Sequence, residues 1–213
     1  MLKDELENIY KYAELHTTPE SANLYELNRK TNLEVAIPQM ISGHLQGAFL
    51  KFMSQSIRPK YILEIGTYTA YSAICMTSGL QKGGKLISID NNKYLEDIQK
   101  EYIAKENLTD RIELHLGDAL EIIPNLNYEF DLVFIDADKL NYTNYYDLVL
   151  DKMPIGATII ADNVLYDFEV LSPETASKNG KALTEFNQKV QNDARVENML
   201  LPLRDGLMLI RKL

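Results

Sequence analysis

The chain has 213 residues, of which 46% are hydrophobic, and a formal net charge of −9 at pH 7. This length and apolar content suffice for one buried core and exclude a collagen-like or low-complexity chain. The acidic balance disfavours a broad nucleic-acid or anionic-membrane surface, without excluding a local basic patch.

Three local features bear on the cellular compartment. The longest apolar runs fall short of the roughly 20 residues that a membrane span requires. The charged N-terminal stretch MLKDELENIYKYAELH lacks the apolar segment of a signal peptide. The single cysteine, Cys75, has no partner for an internal disulfide, which fits a reducing compartment. We therefore expect a cytoplasmic protein with no membrane segment.

Residues 1–58 are predicted to form an N-terminal helical extension. Apolar residues such as Leu45 and Phe49 recur there at three- and four-residue spacing, which is typical of amphipathic helices. Thr17-Thr18 directly before Pro19 predicts a helix start, with the threonines as cap and the proline in the first turn.

From Tyr61 onwards, short β-rich runs alternate with helix-length segments. The runs are YILEI, KLISID, RIELHL, FDLVFIDA and ATIIAD, and the helical candidates between them lie near 71–80, 93–106, 118–123 and 141–151. Five strands separated in this way imply right-handed βαβ units and a parallel sheet covered by helices on both faces.

The pattern changes after Asp162. An irregular stretch at 164–178 leads to a predicted helix at about 179–191. The runs ENMLLPL and GLMLIRK then flank an Arg204-Asp205-Gly206 turn, which predicts a terminal antiparallel hairpin. The irregular stretch is either a substrate-covering loop or an ordinary connection. We predict one α/β domain over 1–213, with its core at 59–213.

The ends of the first two strands indicate a nucleotide-like ligand, since open α/β sheets bind ligands there. The first strand ends in Glu64 and Ile65 and leads into a turn with one glycine, Gly66, which permits a tight turn and a close approach of a ligand. The second strand ends in Asp90, which can accept hydrogen bonds from a ribose diol. A dinucleotide requires a glycine-rich turn, and Glu64 would repel its pyrophosphate. The pattern favours S-adenosylmethionine, which is cationic and carries no phosphate, over NAD. Similar turns also occur in α/β proteins that bind no cofactor.

Acidic and amide side chains end the fourth and fifth strands. If these strands are neighbours, Asp136, Asp162 and Asn163 converge, and two close carboxylates require a positive charge between them. Such an all-oxygen set suits Mg²⁺, Mn²⁺ or Ca²⁺ rather than zinc. Lys139 is a candidate base, because a nearby metal and partial burial would lower its pKa. The alternative for Lys139 is a surface ion pair with Asp136 or Asp138.

Several motifs together resemble one family. LEIGTYTAYSA, ISIDNN, GDAL, DLVFIDADKLNYTNYYD and IIADNVLY, in this order, resemble the caffeoyl-CoA/catechol O-methyltransferase family, and the resemblance runs from about Met40 to the C-terminus. It implies a Rossmann-like, seven-stranded methyltransferase sheet with helices on both faces. It also implies S-adenosylmethionine as methyl donor, a divalent metal such as magnesium, and a homodimer joined through its N-terminal helices.

The resemblance also implies a role for each site residue. Cofactor contacts are expected from Ser42, Glu64, Gly66, Thr67, Ser72, Asp90, Ala119 and Asp138. The metal ligands are expected to be Asp136, Asp162 and Asn163, with Lys139 as catalytic base.

Several positions depart from the family pattern, including Pro38 and Asp138, which stand where the catechol enzymes have aromatic side chains. Ala70 stands where the family usually has glycine, and one methyl group should be tolerated there. Tyr166 and Phe168 replace a tryptophan and a glycine, and Met199 replaces an acidic residue of the mammalian catechol enzymes. The resemblance therefore supports the inferences about cofactor and metal more strongly than it supports the identity of the substrate.

The expected function is metal-dependent methyl transfer to a hydroxyl of a catechol-like or caffeoyl-type phenol. One alternative is methylation of a hydroxylated tRNA base, which the acidic charge disfavours. Another is a non-catalytic protein that binds S-adenosylmethionine, which would not need the Asp136, Lys139, Asp162 and Asn163 set. An NAD-dependent oxidoreductase comes last, because the glycine-rich turn is missing.

Other conspicuous residues are interpreted as structural. Tyr142, Tyr145 and Tyr146 are expected to pack a helix against the sheet rather than to stack on a substrate. Cys75 is expected to be a buried small residue rather than a nucleophile, and His44 a packing or solvent-facing residue.

Overall fold

The computed structural model describes residues 2–213, so Met1, the first residue of the predicted extension, lies outside it. The strands are β1 (Tyr61–Ile65), β2 (Lys85–Asp90), β3 (Ile112–Leu116), β4 (Leu132–Ile135), β5 (Thr158–Ala161), β6 (Val196–Leu201) and β7 (Leu207–Lys212). They form one seven-stranded sheet in the order β3-β2-β1-β4-β5-β7-β6. The first five strands are parallel, and β7 runs antiparallel to both β5 and β6. The predicted parallel sheet and C-terminal hairpin are confirmed.

The helices are α1 (Leu2–Leu15), α2 (Ala22–Glu34), α3 (Gly43–Ile57), α4 (Tyr71–Thr77), α5 (Glu96–Lys105), α6 (Ala119–Ile122), α7 (Tyr142–Leu150) and α8 (Lys178–Asn192). The segment before β1 is helical, as predicted. Within residues 2–213, no helix is both long and apolar enough to cross a membrane.

The central strands are buried on both faces, which explains their nearly continuous apolar runs. In β4, for example, Leu132 and Phe134 pack with helices α2 to α5, whereas Val133 and Ile135 pack with α6 to α8. On the face covered by α6 to α8, Tyr142, Tyr145 and Tyr146 are buried, as expected. On the face covered by α2 to α5, Cys75 is buried.

The predicted helix start at Thr17-Thr18 is wrong. The Thr17 hydroxyl donates a 2.7 Å hydrogen bond back to the carbonyl of Ala13 and so belongs to the end of α1. Helix α2 begins at Ala22, where the Ser21 hydroxyl accepts a hydrogen bond from the Leu24 amide. Serine is a preferred N-cap, and it lies beyond the proline rather than before it.

The sheet order reverses at β1, which lies between β2 and β4. Connections from β1 and β4 therefore leave towards opposite sides, which opens a crevice at the carboxyl ends of these strands. The β6–β7 hairpin reaches the same edge, because the amides of Val164 and Leu165 donate to the carbonyls of Gly206 and Asp205. One edge of the sheet thus collects residues from both ends of the chain.

Candidate active site

An open cleft of about 1540 Å³ lies at this edge. Eight predicted site residues line it: Gly66, Asp90, Ala119, Asp136, Asp138, Lys139, Asp162 and Asn163. A small adjoining pocket is lined by three more: Ser42, Thr67 and Ser72. Glu64 lies behind the wall, outside both cavities.

Gly66 allows two strand ends to approach each other. Its φ is +100°, and a Cβ built on it would lie 1.9 Å from the carbonyl oxygen of Asp136. Any side chain would therefore displace Asp136 or the turn after β1. The sequence explained this glycine by a tight turn and a nearby ligand; in the structure, a neighbouring strand end also requires it.

Glu64 is fully buried beneath this turn. Its carboxylate accepts hydrogen bonds from the hydroxyls of Ser72, at 2.5 Å, and Ser88. Burial raises its pKa to about 8, although both serine hydrogen bonds act in the opposite direction. A positive charge in the adjoining pocket would favour the ionised form of Glu64.

Asp90 combines a structural role with free acceptor capacity. One carboxylate oxygen accepts the Tyr68 amide hydrogen at 2.7 Å, and the other accepts that of Asn92 at 2.8 Å. Each oxygen keeps a second lone pair. Asp138 is held similarly, by the hydroxyl of Tyr145 and by the side-chain amide of Asn141.

The residues around Gly66 and Asp90 form the first part of the cleft. The second part is a carboxylate cluster at the ends of β4 and β5. These strands pair with Ile135 opposite Ala161, so Asp136 and Asp162 follow at the same level. The Lys139 ammonium donates to Asp136 Oδ1 at 3.0 Å and to Asn163 Oδ1 at 2.7 Å. The predicted convergence of these residues is therefore present. The Lys139 side chain is only 14% exposed, so its ion pair with Asp136 is not an ordinary surface pair.

The balance of charge in this cluster affects two pKa values. Burial, and then the nearby charge of Asp136, raise the pKa of Asp162 to about 7. Burial alone would lower the pKa of Lys139, but its neighbours Tyr142 and Asp136 more than offset this and raise it. The chain's own groups therefore keep Lys139 protonated, and burial by itself does not produce the expected base.

The cluster is suited to a hard divalent cation. The parts of the chain that the structure describes contain no group of three or more His, Cys, Asp or Glu side chains that could hold a metal. Two carboxylates and the Asn163 amide nevertheless provide three oxygen donors, the ligand type that Mg²⁺, Mn²⁺ and Ca²⁺ prefer. Burial is the main cause of the raised pKa of Asp162, and the charge of Asp136 adds to it, so a cation between the two carboxylates would favour the ionised form of Asp162.

Three polar residues of this cluster were not predicted from the sequence. Gln46 donates from Nε2 to Asp162 Oδ2 at 2.6 Å, and Arg204 donates from Nη1 to Gln46 Oε1 at 3.0 Å. Asp205 hydrogen-bonds to the Asn163 side chain. The sequence identified Arg204 and Asp205 only as turn residues, and no local pattern connects them to partners more than 40 residues away.

Tyr142 combines the predicted packing role with an unpredicted polar one. Its ring meets Phe186 edge-on, with 5.5 Å between the ring centroids. Its hydroxyl accepts a hydrogen bond from Lys139 at 2.9 Å and donates to the carbonyl of Asp162 at 2.9 Å. Tyr142 therefore fixes Lys139 relative to the carboxylates. His44, as expected, is away from this cluster and contacts the carbonyl of Thr18.

The start of the irregular stretch 164–178 forms part of the cleft wall. Tyr166, Asp167 and Phe168 have φ values of 44°, 50° and 64°, a left-handed conformation that is costly for these residues. The Tyr166 hydroxyl, beside the cleft, accepts a hydrogen bond from Asn179 at 2.7 Å. The Asp167 amide donates to Asp205 at 2.7 Å. These contacts hold the strained turn next to Asn163.

Comparison with known proteins gives a consistent result. A family model described as O-methyltransferase matches residues 14–213. A caffeoyl-CoA O-methyltransferase of Stellaria longipes is 28% identical, over 91% of this chain and 84% of its own. A catechol O-methyltransferase of Niastella koreensis is 32% identical, over 80% and 79%. The crystal structure of an O-methyltransferase from Bacillus cereus in complex with SAH is 30% identical, with a TM-score of 0.87 over 97% of both chains.

Proposed function

Because the chain belongs to the O-methyltransferase family and the similar Bacillus cereus enzyme was solved in complex with SAH, we propose that it uses S-adenosylmethionine to methylate a hydroxyl of a catechol-like or caffeoyl-type phenol with the help of a divalent metal. The observation that carries the metal-dependent part is the cluster around Lys139, where Asp136 and Asn163 lie within 3.0 Å of its ammonium and Asp162 is buried beside them. Binding of a cofactor alone would not require such a cluster.

We propose that S-adenosylmethionine binds in the part of the cleft around Gly66 and Asp90, where it would supply an electrophilic methyl group. We propose that Asp90 accepts hydrogen bonds from the ribose, because both of its oxygens retain a lone pair. Glu64 would oppose the positive charge of the ligand from behind Gly66. The remaining contacts are proposed for Ser42, Thr67, Ser72, Ala119 and Asp138.

Asp136, Asp162 and Asn163 are proposed to hold the metal, which when bound lowers the pKa of an acceptor hydroxyl and fixes its direction. Tyr142 and Asp136 both raise the pKa of Lys139, so a cation that compensated the charge of Asp136 would move this pKa downwards, in the direction that burial favours. Lys139 Nζ, held by the Tyr142 hydroxyl, can then take up the hydroxyl proton of the substrate that is methylated. Alignment of the two reactants can contribute roughly 7–11 kcal/mol to lowering the barrier.

The substrate class is supported by the relatives and by the donor set. Two relatives are named for caffeoyl-CoA and catechol, whose aromatic rings carry adjacent hydroxyls. Two adjacent oxygens can bind one cation together, and an all-oxygen site with few protein ligands leaves room for them.

The test is an assay of the purified protein with methyl-labelled S-adenosylmethionine. A panel of vicinal diphenols is compared with matched monophenols, in Mg²⁺, Mn²⁺, Ca²⁺ or EDTA. We expect transfer to diphenols with metal and its loss in EDTA. Equal transfer in EDTA would remove the metal from the proposal. Cofactor binding without transfer to any phenol would redirect it to a tRNA base or a non-catalytic role.

A homodimer is also proposed, with α1 at the interface. Leu6 and Ile9, three residues apart on this helix, are 47% and 63% exposed, and neighbouring exposed apolar side chains of this kind form a candidate contact surface. Light scattering on the purified protein tests this proposal. We expect the mass of two chains for the wild type and a lower mass for Ile9→Glu, and a wild-type monomer at micromolar concentration would contradict it.

A further inference from the structure

We infer that Gln46 and Arg204 are positioning residues for Asp162, and that this hydrogen-bonded pair sets the orientation in which the Asp162 carboxylate meets a divalent cation. The inference rests on the proposed metal site. It concerns two residues that do not touch the metal themselves and that come from helix α3 and from the β6–β7 turn.

The contacts form a continuous chain. Arg204 Nη1 donates to Gln46 Oε1 at 3.0 Å, and Gln46 Nε2 donates to Asp162 Oδ2 at 2.6 Å. Gln46 is completely buried and Asp162 is 3% exposed, so water does not compete for the hydrogen bond between them. The chain joins a helix, a strand end and a hairpin turn that lie far apart in the sequence.

The chemistry of the groups fixes the direction of each bond. A guanidinium has only donors, so the Gln46 atom that faces Arg204 must be the amide oxygen. The amide nitrogen then faces Asp162 and can only donate to it. The other carboxylate oxygen, Asp162 Oδ1, accepts the backbone amide hydrogen of Asn163 at 2.7 Å. Two donors on opposite sides thus fix the plane of the carboxylate and leave each oxygen one lone pair for a cation.

Arg204 is itself firmly held. Its Nη1 also donates to the carbonyls of Ile41, at 3.1 Å, and Ser42, and its backbone amide donates to the hydroxyl of Tyr10 at 2.8 Å. Without Arg204, the amide of Gln46 could rotate and present its oxygen to Asp162, which would repel the carboxylate. Arg204 therefore determines which end of Gln46 faces Asp162.

The test measures Mn²⁺ binding directly, by the electron paramagnetic resonance signal of free Mn²⁺, so that it does not depend on turnover. Gln46→Met keeps the volume of the side chain and removes both hydrogen bonds. We expect its Mn²⁺ affinity to fall about 10- to 100-fold, the usual effect of removing a partner of a metal ligand. Its affinity for S-adenosylmethionine should stay within twofold of the wild type.

Gln99→Met is the matched control. Gln99 is also buried and donates a 2.7 Å hydrogen bond, but to the carbonyl of Tyr68, in the other part of the cleft. The Gln99→Met variant should lower the melting temperature as much as Gln46→Met does and leave Mn²⁺ affinity unchanged. Equal losses of Mn²⁺ affinity in Gln46→Met and Gln99→Met would mean a general structural effect and would overturn the inference.

Arg204→Lys provides the second variant, since this side chain is exposed and the substitution keeps the charge. We expect a loss of Mn²⁺ affinity of several-fold in the wild-type background and almost none in Gln46→Met, because Arg204 acts through Gln46. Additive losses would contradict the route through Gln46.

Two outcomes separate this inference from the proposed function. If Asp162→Ala abolishes Mn²⁺ binding and Gln46→Met leaves it unchanged, the positioning role is wrong and the metal site stands. If the wild-type protein does not bind Mn²⁺, both fail.

Discussion

The two parts of the cleft differ in how far apart in the sequence their interacting residues lie. Behind the wall of the part proposed for the cofactor, Glu64 contacts Ser72 and Ser88, which are 8 and 24 residues away. In the part proposed for the metal, Gln46 contacts Asp162 across 116 residues and Arg204 across 158. The first part is formed by adjacent strands and the helix between them. The second forms only when the N-terminal helices and the C-terminal hairpin pack against the completed sheet.

The two parts also differ in their charge. Glu64 hydrogen-bonds only to neutral hydroxyls, and burial is the main reason that its pKa is raised, with a further contribution from the charges of Asp136 and Asp90. Asp162 shares its site with Asp136 and Lys139, so its pKa depends on several partners. We therefore expect changes in one part to leave ligand binding in the other nearly unaffected, and the following predictions test this independence.

The largest effect is expected from Asp136→Ala and Asp162→Ala. Each removes a charged ligand, so metal-stimulated turnover should fall at least about 100- to 1,000-fold, equivalent to several kcal/mol of lost stabilisation. Affinity for S-adenosylmethionine, measured by calorimetry, should stay within about threefold. Unchanged turnover in both variants would eliminate the metal site, and equal losses of cofactor affinity would show that the two parts are coupled.

Lys139→Met should separate catalysis from metal binding. The loss of a general base typically lowers kcat about 100- to 10,000-fold. Mn²⁺ affinity should stay the same or rise, because the ammonium no longer competes for Asp136 and Asn163. Lys189→Met is the control, since this lysine pairs with Asp147 on the surface. A drop in Mn²⁺ affinity with unchanged kcat would contradict the role of Lys139 as base.

Glu64→Gln should change stability and cofactor binding in opposite directions. The folded-state pKa of Glu64, about 8, lies above the usual value of 4.5, so ionisation destabilises the fold as pH rises through this range. The variant lacks this ionisation and should gain melting temperature over the wild type at pH 9 but not at pH 5. One kcal/mol corresponds to about 2–4 °C in a chain of this size.

The same variant should bind S-adenosylmethionine roughly five- to tenfold more weakly, because a charge opposite to that of the ligand is lost. Scanning calorimetry at the two pH values and a cofactor titration check both expectations. A melting-temperature difference independent of pH would mean that Glu64 is not the group that titrates.

The smallest effect is expected from Ala70→Gly. Ala70 has φ of +68° at the start of α4, so glycine removes a left-handed strain of about 1–2 kcal/mol. Glycine also costs about 0.5–1 kcal/mol in chain entropy and removes a buried methyl group. These contributions nearly cancel, so urea denaturation should give a free energy of unfolding within about 1 kcal/mol of the wild type. A gain above 2 kcal/mol would show that the strain is larger than the other two contributions.

Much of the strand-end chemistry could be predicted because it depends on periodicity and chain order. Alternating helix-length segments and apolar runs imply parallel strands, whose carboxyl ends lie at one edge. Asp90, Asp136 and Asp162 directly follow or end such runs, so chain order places them at one edge of the sheet, and the pairing of β4 with β5 then brings Asp136 and Asp162 together. The predicted cap at Thr17-Thr18 is wrong for a local reason, since a second candidate, Ser21, lies a few residues beyond.

The amino-acid sequence by itself determined the order of the elements, the strand-end carboxylates and the turn at Gly66, because these follow from short-range patterns. Only the tertiary structure determined that Gln46 and Arg204 reach Asp162 and that the neighbours of Lys139 raise its pKa in spite of its burial. The physical reason is that hydrogen bonds between distant segments, and pKa values in buried sites, depend on which groups packing brings together, and no local pattern in the chain records this.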